Sequence, residues 1–343
     1  MGNETNGDTI LLMEARDECM ATGCEKRPLI ATSGMVFCKC LIIVLALFCL
    51  LPIATLAQKA GTDQKTPPPL GELVDVGGYR VHLYCIGTGS PTVVIVGAGF
   101  SFNWGLVQPE VAGFTQVCSY DHSGIGWSDD GPKDSCSLRV SEVHTALKNA
   151  GIKGPYVLVG HSLGGLVARV YAGQYPDEVA GMVFVDHAFG FPLAPPPGDA
   201  KVLPPPAPPT TSSVPVGGMG IESDPNFSKL SARDRELHLW AMAQTRNQIV
   251  LRSNVQLVPD CIAEADALAK EQPLGNKPLV DVSTDQFRSS DYVKFQKELL
   301  SLSQNSKEII AKKSGHFVII DRPDVVIDAI RQVVQSVRNN AKL

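Results

Sequence analysis

The chain has 343 residues, 44% of them apolar and 19% charged, which is enough for one large core with an insertion or for two smaller domains. A net charge of −5 with no cluster of Lys and Arg excludes a protein built to bind a phosphate backbone, so no nucleic-acid partner is expected. None of the nine cysteines falls into paired CxxC or HxxxH spacings, which excludes a structural zinc site.

Residues 1–34 are polar. Leu41–Ala57 then reads LIIVLALFCLLPIATLA, without a charge, short for a membrane span and long for the core of a signal peptide. Counted from Met1 the segment 35–58 is expected to be a signal anchor, a single-pass membrane partner for the chain if uncleaved. Counted from Met35, with Lys39 ahead and Thr55-Leu56-Ala57 behind, it is expected to be a cleaved export signal. Five cysteines (Cys19, Cys24, Cys38, Cys40 and Cys49) lie in or before it. Cys85, Cys118, Cys136 and Cys261 remain, allowing two disulfides in any of three pairings or four buried thiols.

A polar, proline-rich linker (59–71) leads to two β-like runs, Leu73–Val76 and Arg80–Ile86, joined by Gly77-Gly78 as a hairpin. The continuous run Val93–Val96 reads as a strand buried on both faces of a parallel sheet. Similar runs follow at Gln116–Tyr120, Tyr156–Val159, Met182–Val185, Leu279–Val282 and Glu308–Ala311. Segments with helical spacing separate them, at Val140–Ala150, Leu163–Tyr175 and Asp324–Val337. In the last, Val326, Ile330, Val333 and Val337 share a face. This alternation predicts an α/β protein with a mainly parallel sheet, helices on both faces and an antiparallel edge from the hairpin.

Between about 190 and 277 the alternation breaks. The prolines of PLAPPPGDAKVLPPPAPPTTSSVP cannot continue a helix or a central strand. After them Ser231-Ala-Arg-Asp234 predicts a capped helix to about Val250, with another near Asp260–Lys270. The core therefore divides into 72–190 and 278–343 around a proline-rich loop and helical cap at 191–277. The alternative, a linker between two domains, leaves a short second domain.

Tyr156–Val159 runs into Gly160-His161-Ser162-Leu163-Gly164 and then into a helical segment, so a GxSxG pattern sits between strand and helix. A sharp turn there exposes the serine hydroxyl, and the glycines avoid collision with neighbouring backbone. Ser162 is the expected nucleophile. His316, in Ser314-Gly315-His316-Phe317 after the last predicted strand, is the expected general base; the other six histidines read as surface or core residues. For the acid two candidates stand. Asp186 ends the strand Met182–Val185, and Asp285 follows the strand Leu279–Val282, while Asp281 lies inside that strand where an apolar residue is expected. The oxyanion hole is expected to use the backbone N–H of Leu163 and one from Gly97-Ala98-Gly99-Phe100, first Gly99 and then Phe100.

In these motifs and their order, residues 72–338 resemble the α/β-hydrolase superfamily, of the serine esterase and lipase type. Tyr120-Asp121-His122-Ser123-Gly124-Ile125-Gly126-Trp127-Ser128-Asp129 is similar to its DxRGxGxSD loop, with His122-Ser123 in place of the arginine. Gly97-Ala98 stands for its usual His-Gly. The resemblance implies an eight-stranded sheet, a Ser-His-Asp triad at the strand carboxyl ends and a cap over it, and Asp285 has the separation from His316 usual in the superfamily. The expected function is hydrolysis of a small-molecule carboxylic ester or related acyl substrate through an acyl-enzyme, with no cofactor. A non-catalytic binding module on the same fold is the alternative.

Overall fold

The computed structural model describes residues 66–187, 220–286 and 288–343. The apolar run 41–57 lies outside them. Among the described residues no helix is long and apolar enough to cross a membrane.

The elements are β1 (Glu72–Asp75), β2 (Arg80–Ile86), β3 (Thr92–Val96), a 3-10 turn (Ser101–Trp104), α1 (Gln108–Ala112), β4 (Val117–Asp121), α2 (Cys136–Asn149), β5 (Tyr156–His161), α3 (Leu163–Gln174) and β6 (Val179–Val185). Then come two short 3-10 turns (Ile221–Ser223 and Pro225–Lys229), α4 (Ala232–Met242), α5 (Thr245–Glu271), β7 (Leu279–Thr284), α6 (Ser290–Leu300), β8 (Ser306–Ala311), α7 (Val318–Asp321) and α8 (Pro323–Asn339). The eight strands form one sheet in the order β1-β2-β4-β3-β5-β6-β7-β8. Pairing is antiparallel across β1, β2 and β4 and parallel from β4 to β8, as the hairpin and the β-branched runs predict.

The central strands alternate between two apolar layers because successive side chains leave a strand on opposite faces. Val93, Ile95, Val157 and Val159 pack with Val326, Ile330 and Val333 of α8; Val94, Val96 and Leu158 pack with Leu166, Val170 and Tyr171 of α3 and with α2. Two disulfides join the four cysteines of this region. Cys85–Cys118 crosses the β2–β4 pair, and Cys136–Cys261 ties the start of α2 to α5.

The cap departs from the predicted helix ends. Ser231 caps α4 as expected, its hydroxyl accepting from the Asp234 N–H at 3.0 Å. The first helix, however, stops at Met242, and the second starts at Thr245 and runs unbroken through Pro259. Val255, whose carbonyl Pro259 leaves without a helical donor, faces solvent, so water can replace the missing N–H. A third apolar cluster seats this cap on the core: Leu237, Trp240 and Ala241 of α4 against Phe100, Phe102, Ile125 and Trp127.

Candidate active site

β5 ends in His161, and the chain turns at Ser162 with φ 56° and ψ −129° before α3 begins. A non-glycine residue at positive φ is strained, and here the turn lifts the hydroxyl clear of the strand. The flanking glycines are steric requirements. A side chain at Gly160 would collide with the Gly165 backbone, and one at Gly164 with the Val96 carbonyl.

The Ser162 hydroxyl lies 3.1 Å from His316 Nε2, and His316 Nδ1 lies 2.6 Å from Asp186 Oδ2. Asp186 follows β6 at φ 39° and is buried, and its second oxygen accepts from the Tyr292 hydroxyl of α6 at 3.3 Å. Since a carboxylate only accepts, Nδ1 of His316 carries the proton and Nε2 is left to accept from the serine. The structure thus brings Asp186, and not Asp285, to the histidine. The Asp285 carboxylate is exposed and accepts from the Lys313 N–H at 3.0 and 3.1 Å. Asp285 therefore braces the turn before His316, because the chain leaving β7 carries it to the β8–α7 loop.

Three other histidines hold this frame. His161 Nε2 donates to the His316 carbonyl at 2.9 Å, which fixes the loop bearing that histidine. Burial, with the neighbouring His316 adding to it, lowers the His161 pKa to about 4, so it stays neutral. His187 Nδ1 donates to the Ser162 carbonyl at 3.2 Å, and burial lowers its pKa to about 3. His82 accepts the Gly71 N–H on Nε2 and donates from Nδ1 to Asp121 at 2.9 Å; the other Asp121 oxygen accepts from the Ser101 N–H at 2.7 Å. In the YDHSGIGWSD stretch, Asp121 is therefore an anchor for the loop after β3.

Among the described residues, neither the Leu163 N–H nor the Gly99 N–H has a hydrogen-bond acceptor. Leu163 directly follows Ser162, and Gly99 belongs to the loop after β3, whose Val96 and Gly97 backbone packs against Gly164 at the start of α3. The cap reaches the same loop twice. His238 of α4 sits 3.0 Å from Asn103 Oδ1 and 2.9 Å from Glu222, and Asn254 of α5 donates to the Ala98 carbonyl at 2.9 Å. Sequence reasoning missed Tyr292 and Asn254. Tyr292 lies in a segment without a predicted helix, and Asn254 lies in the gap left between the two predicted cap helices. Among the described residues no group of His, Cys, Asp and Glu is arranged to hold a metal.

Residues 91–213 match the family model described as the alpha/beta hydrolase fold. The Cfl2 protein of Burkholderia cenocepacia superposes with a TM-score of 0.57 at 18% identity, covering 77% of this chain and 95% of that one. The chain has the α/β-hydrolase fold. An uncharacterized protein of Schizosaccharomyces pombe is 34% identical over 138 residues, 31% of this chain and 26% of its own length. A 2-hydroxymuconate semialdehyde hydrolase of a Pseudomonas species is 32% identical over 134 residues, 37% of this chain and 47% of its own. The chain thus spans about a quarter and about half of these two relatives.

Proposed function

We propose that the protein is a serine hydrolase that cleaves carboxylic esters or related acyl compounds. The observation that carries this reading is the line Ser162–His316–Asp186, with both hydrogen bonds in place between groups from three separate strand ends. Ser162 Oγ attacks the substrate carbonyl while His316 Nε2 takes its proton, and the carbonyl electron pair moves to oxygen. The Leu163 and Gly99 N–H groups receive that oxyanion. Collapse of the tetrahedral adduct breaks the ester C–O bond, and the leaving alkoxide takes the proton from His316. Water, deprotonated by the same histidine, then attacks the acyl-enzyme, frees the acid and restores Ser162. Asp186 holds the imidazole in the tautomer this needs and stabilises the imidazolium in each half.

A carboxylate nucleophile, as epoxide and haloalkane chemistry on this fold would use, is disfavoured by serine at 162. The semialdehyde hydrolase among the relatives makes a C–C bond the second substrate to assay. The test is a panel of p-nitrophenyl esters of graded acyl length beside a meta-cleavage diketone, run on wild type, Ser162→Ala and His316→Ala. Each variant is expected to lose all but a small fraction of the rate with unchanged melting. Turnover of no panel member by wild type, or more than about a tenth of the rate in either variant, contradicts the reading, since such units supply several orders of magnitude.

A further inference from the structure

Gly99 lies between the ends of β3 and the first 3-10 turn, in a loop with no regular hydrogen-bond ladder to set its peptide planes. Among the described residues one side chain outside the loop grips the plane that matters. Asn254 Nδ2, from the cap helix α5, donates to the Ala98 carbonyl at 2.9 Å, and Ala98 C=O and Gly99 N–H belong to one peptide unit. In a trans peptide these two groups point in opposite directions, and the cis bonds of the described chain are at Ser90-Pro91 and Gly154-Pro155. Fixing the carbonyl toward α5 therefore fixes the N–H on the side away from it.

The Asn254 amide is itself oriented. Its Oδ1 accepts from Arg139 Nη2 of α2 at 2.7 Å, and a guanidinium only donates while a carbonyl only accepts, so the amide cannot flip. Arg139 is buried and gripped by Asp134, with Nε at 2.9 Å and Nη2 at 2.5 Å from the two carboxylate oxygens. A chain Asp134–Arg139–Asn254–Ala98 so runs from the core, through the cap, to the loop beside the nucleophile. The Cys136–Cys261 disulfide pins the same two helices within one and two turns of this contact.

We infer that Asn254 is a positioning residue for the oxyanion hole, holding the Gly99 N–H at the place where negative charge develops on the substrate oxygen. The inference rests on the serine-hydrolase reading and gives the cap a catalytic task. Its consequence is selective. Losing Asn254 weakens the transition state, where the oxygen is charged, far more than the ground state, where it is a neutral carbonyl.

The experiment compares wild type with Asn254→Ala and Asn254→Asp on one ester, measuring kcat and KM separately. It adds the Kd of a boronic acid, which forms a tetrahedral anion on Ser162, and of the product acid, which does not. Removing an oxyanion donor outright costs about 10²–10³ in kcat, so a loosened one is expected to cost about 10- to 100-fold, with KM within about threefold. Boronate affinity should fall in step with kcat, and product affinity should stay. Asn254→Asp keeps the size and the Arg139 contact but sets a carboxylate against the Ala98 carbonyl, so it should lose at least as much with little change in melting. Wild-type kcat in both variants overturns the inference, as does equal weakening of boronate and product, which marks a purely structural role. Labelling of Ser162 by a fluorophosphonate separates the two levels. If Ser162 labels and the Asn254 variants are normal, only this inference fails; if Ser162 does not label, the serine-hydrolase reading fails with it.

Discussion

Replacement of Asp186 by Asn separates the two carboxylates between which the sequence does not choose. The left-handed φ of 39° at this position suits Asn as well as Asp, so the backbone should not change. The chemistry should change greatly. The carboxylate is buried, and its 2.6 Å bond holds the proton on His316 Nδ1. An amide there can present its NH2 group to Nδ1, which drives the proton to Nε2 and leaves Ser162 without an acceptor. It also removes the negative charge that offsets the imidazolium. In a well-studied triad the same exchange costs about 10⁴ in kcat, and at about 1.4 kcal/mol for each factor of ten that is about 5 kcal/mol of the barrier. Asp285→Asn is the control. Among the described residues its exposed carboxylate serves only the Lys313 N–H, so kcat should stay within about twofold of wild type. Both variants assayed on one p-nitrophenyl ester at saturation, beside their melting curves, decide the matter. A fall of less than tenfold in Asp186→Asn, or a large fall in Asp285→Asn with melting unchanged, would refute the assignment.

Tyr292→Phe removes one of the hydrogen bonds to Asp186, and at 3.3 Å it should cost about 1 kcal/mol, a fivefold drop in kcat with KM unchanged. Asp281 is fully buried in β7 with both oxygens unpartnered among the described residues, and burial, with Glu308 and Asp186 adding to it, raises its pKa well above the carboxylate range. A raised native pKa means stability present below the unfolded pKa and lost as pH rises toward the native one. Asp281→Asn should therefore gain on wild type in melting temperature from pH 5 to pH 8, and a pH-independent difference would count against this. Replacing Cys136 and Cys261 by Ser opens a link across 125 residues and should cost about 2–4 kcal/mol in denaturant unfolding.

The sheet was legible in the sequence wherever burial on both faces forces unbroken apolar runs, as in Val93–Val96 and Tyr156–Val159. Most of the observed ends lie within two residues of those runs, with β6 starting three residues earlier, at Val179. The turn at Ser162 and the loop at His316 were legible because turn and loop geometry demand particular residues around them. The acid was not, since any aspartate at a strand end satisfies the local rule and only the β8–α7 loop decides which one His316 meets. Helix α6 was hidden by a mixed surface that buries Tyr292, Gln296 and Leu299 alone. The unbroken α5 was hidden by Pro259, whose cost is small where the freed carbonyl faces water.

On the proposed reading Ser162 is an activated nucleophile. Incubating the protein with a fluorophosphonate, then locating the adduct by peptide mass, tests it most directly. One covalent adduct is expected, on Ser162, lost in Ser162→Ala and formed far more slowly in His316→Ala. An unlabelled protein, or an adduct that persists in Ser162→Ala, would contradict it.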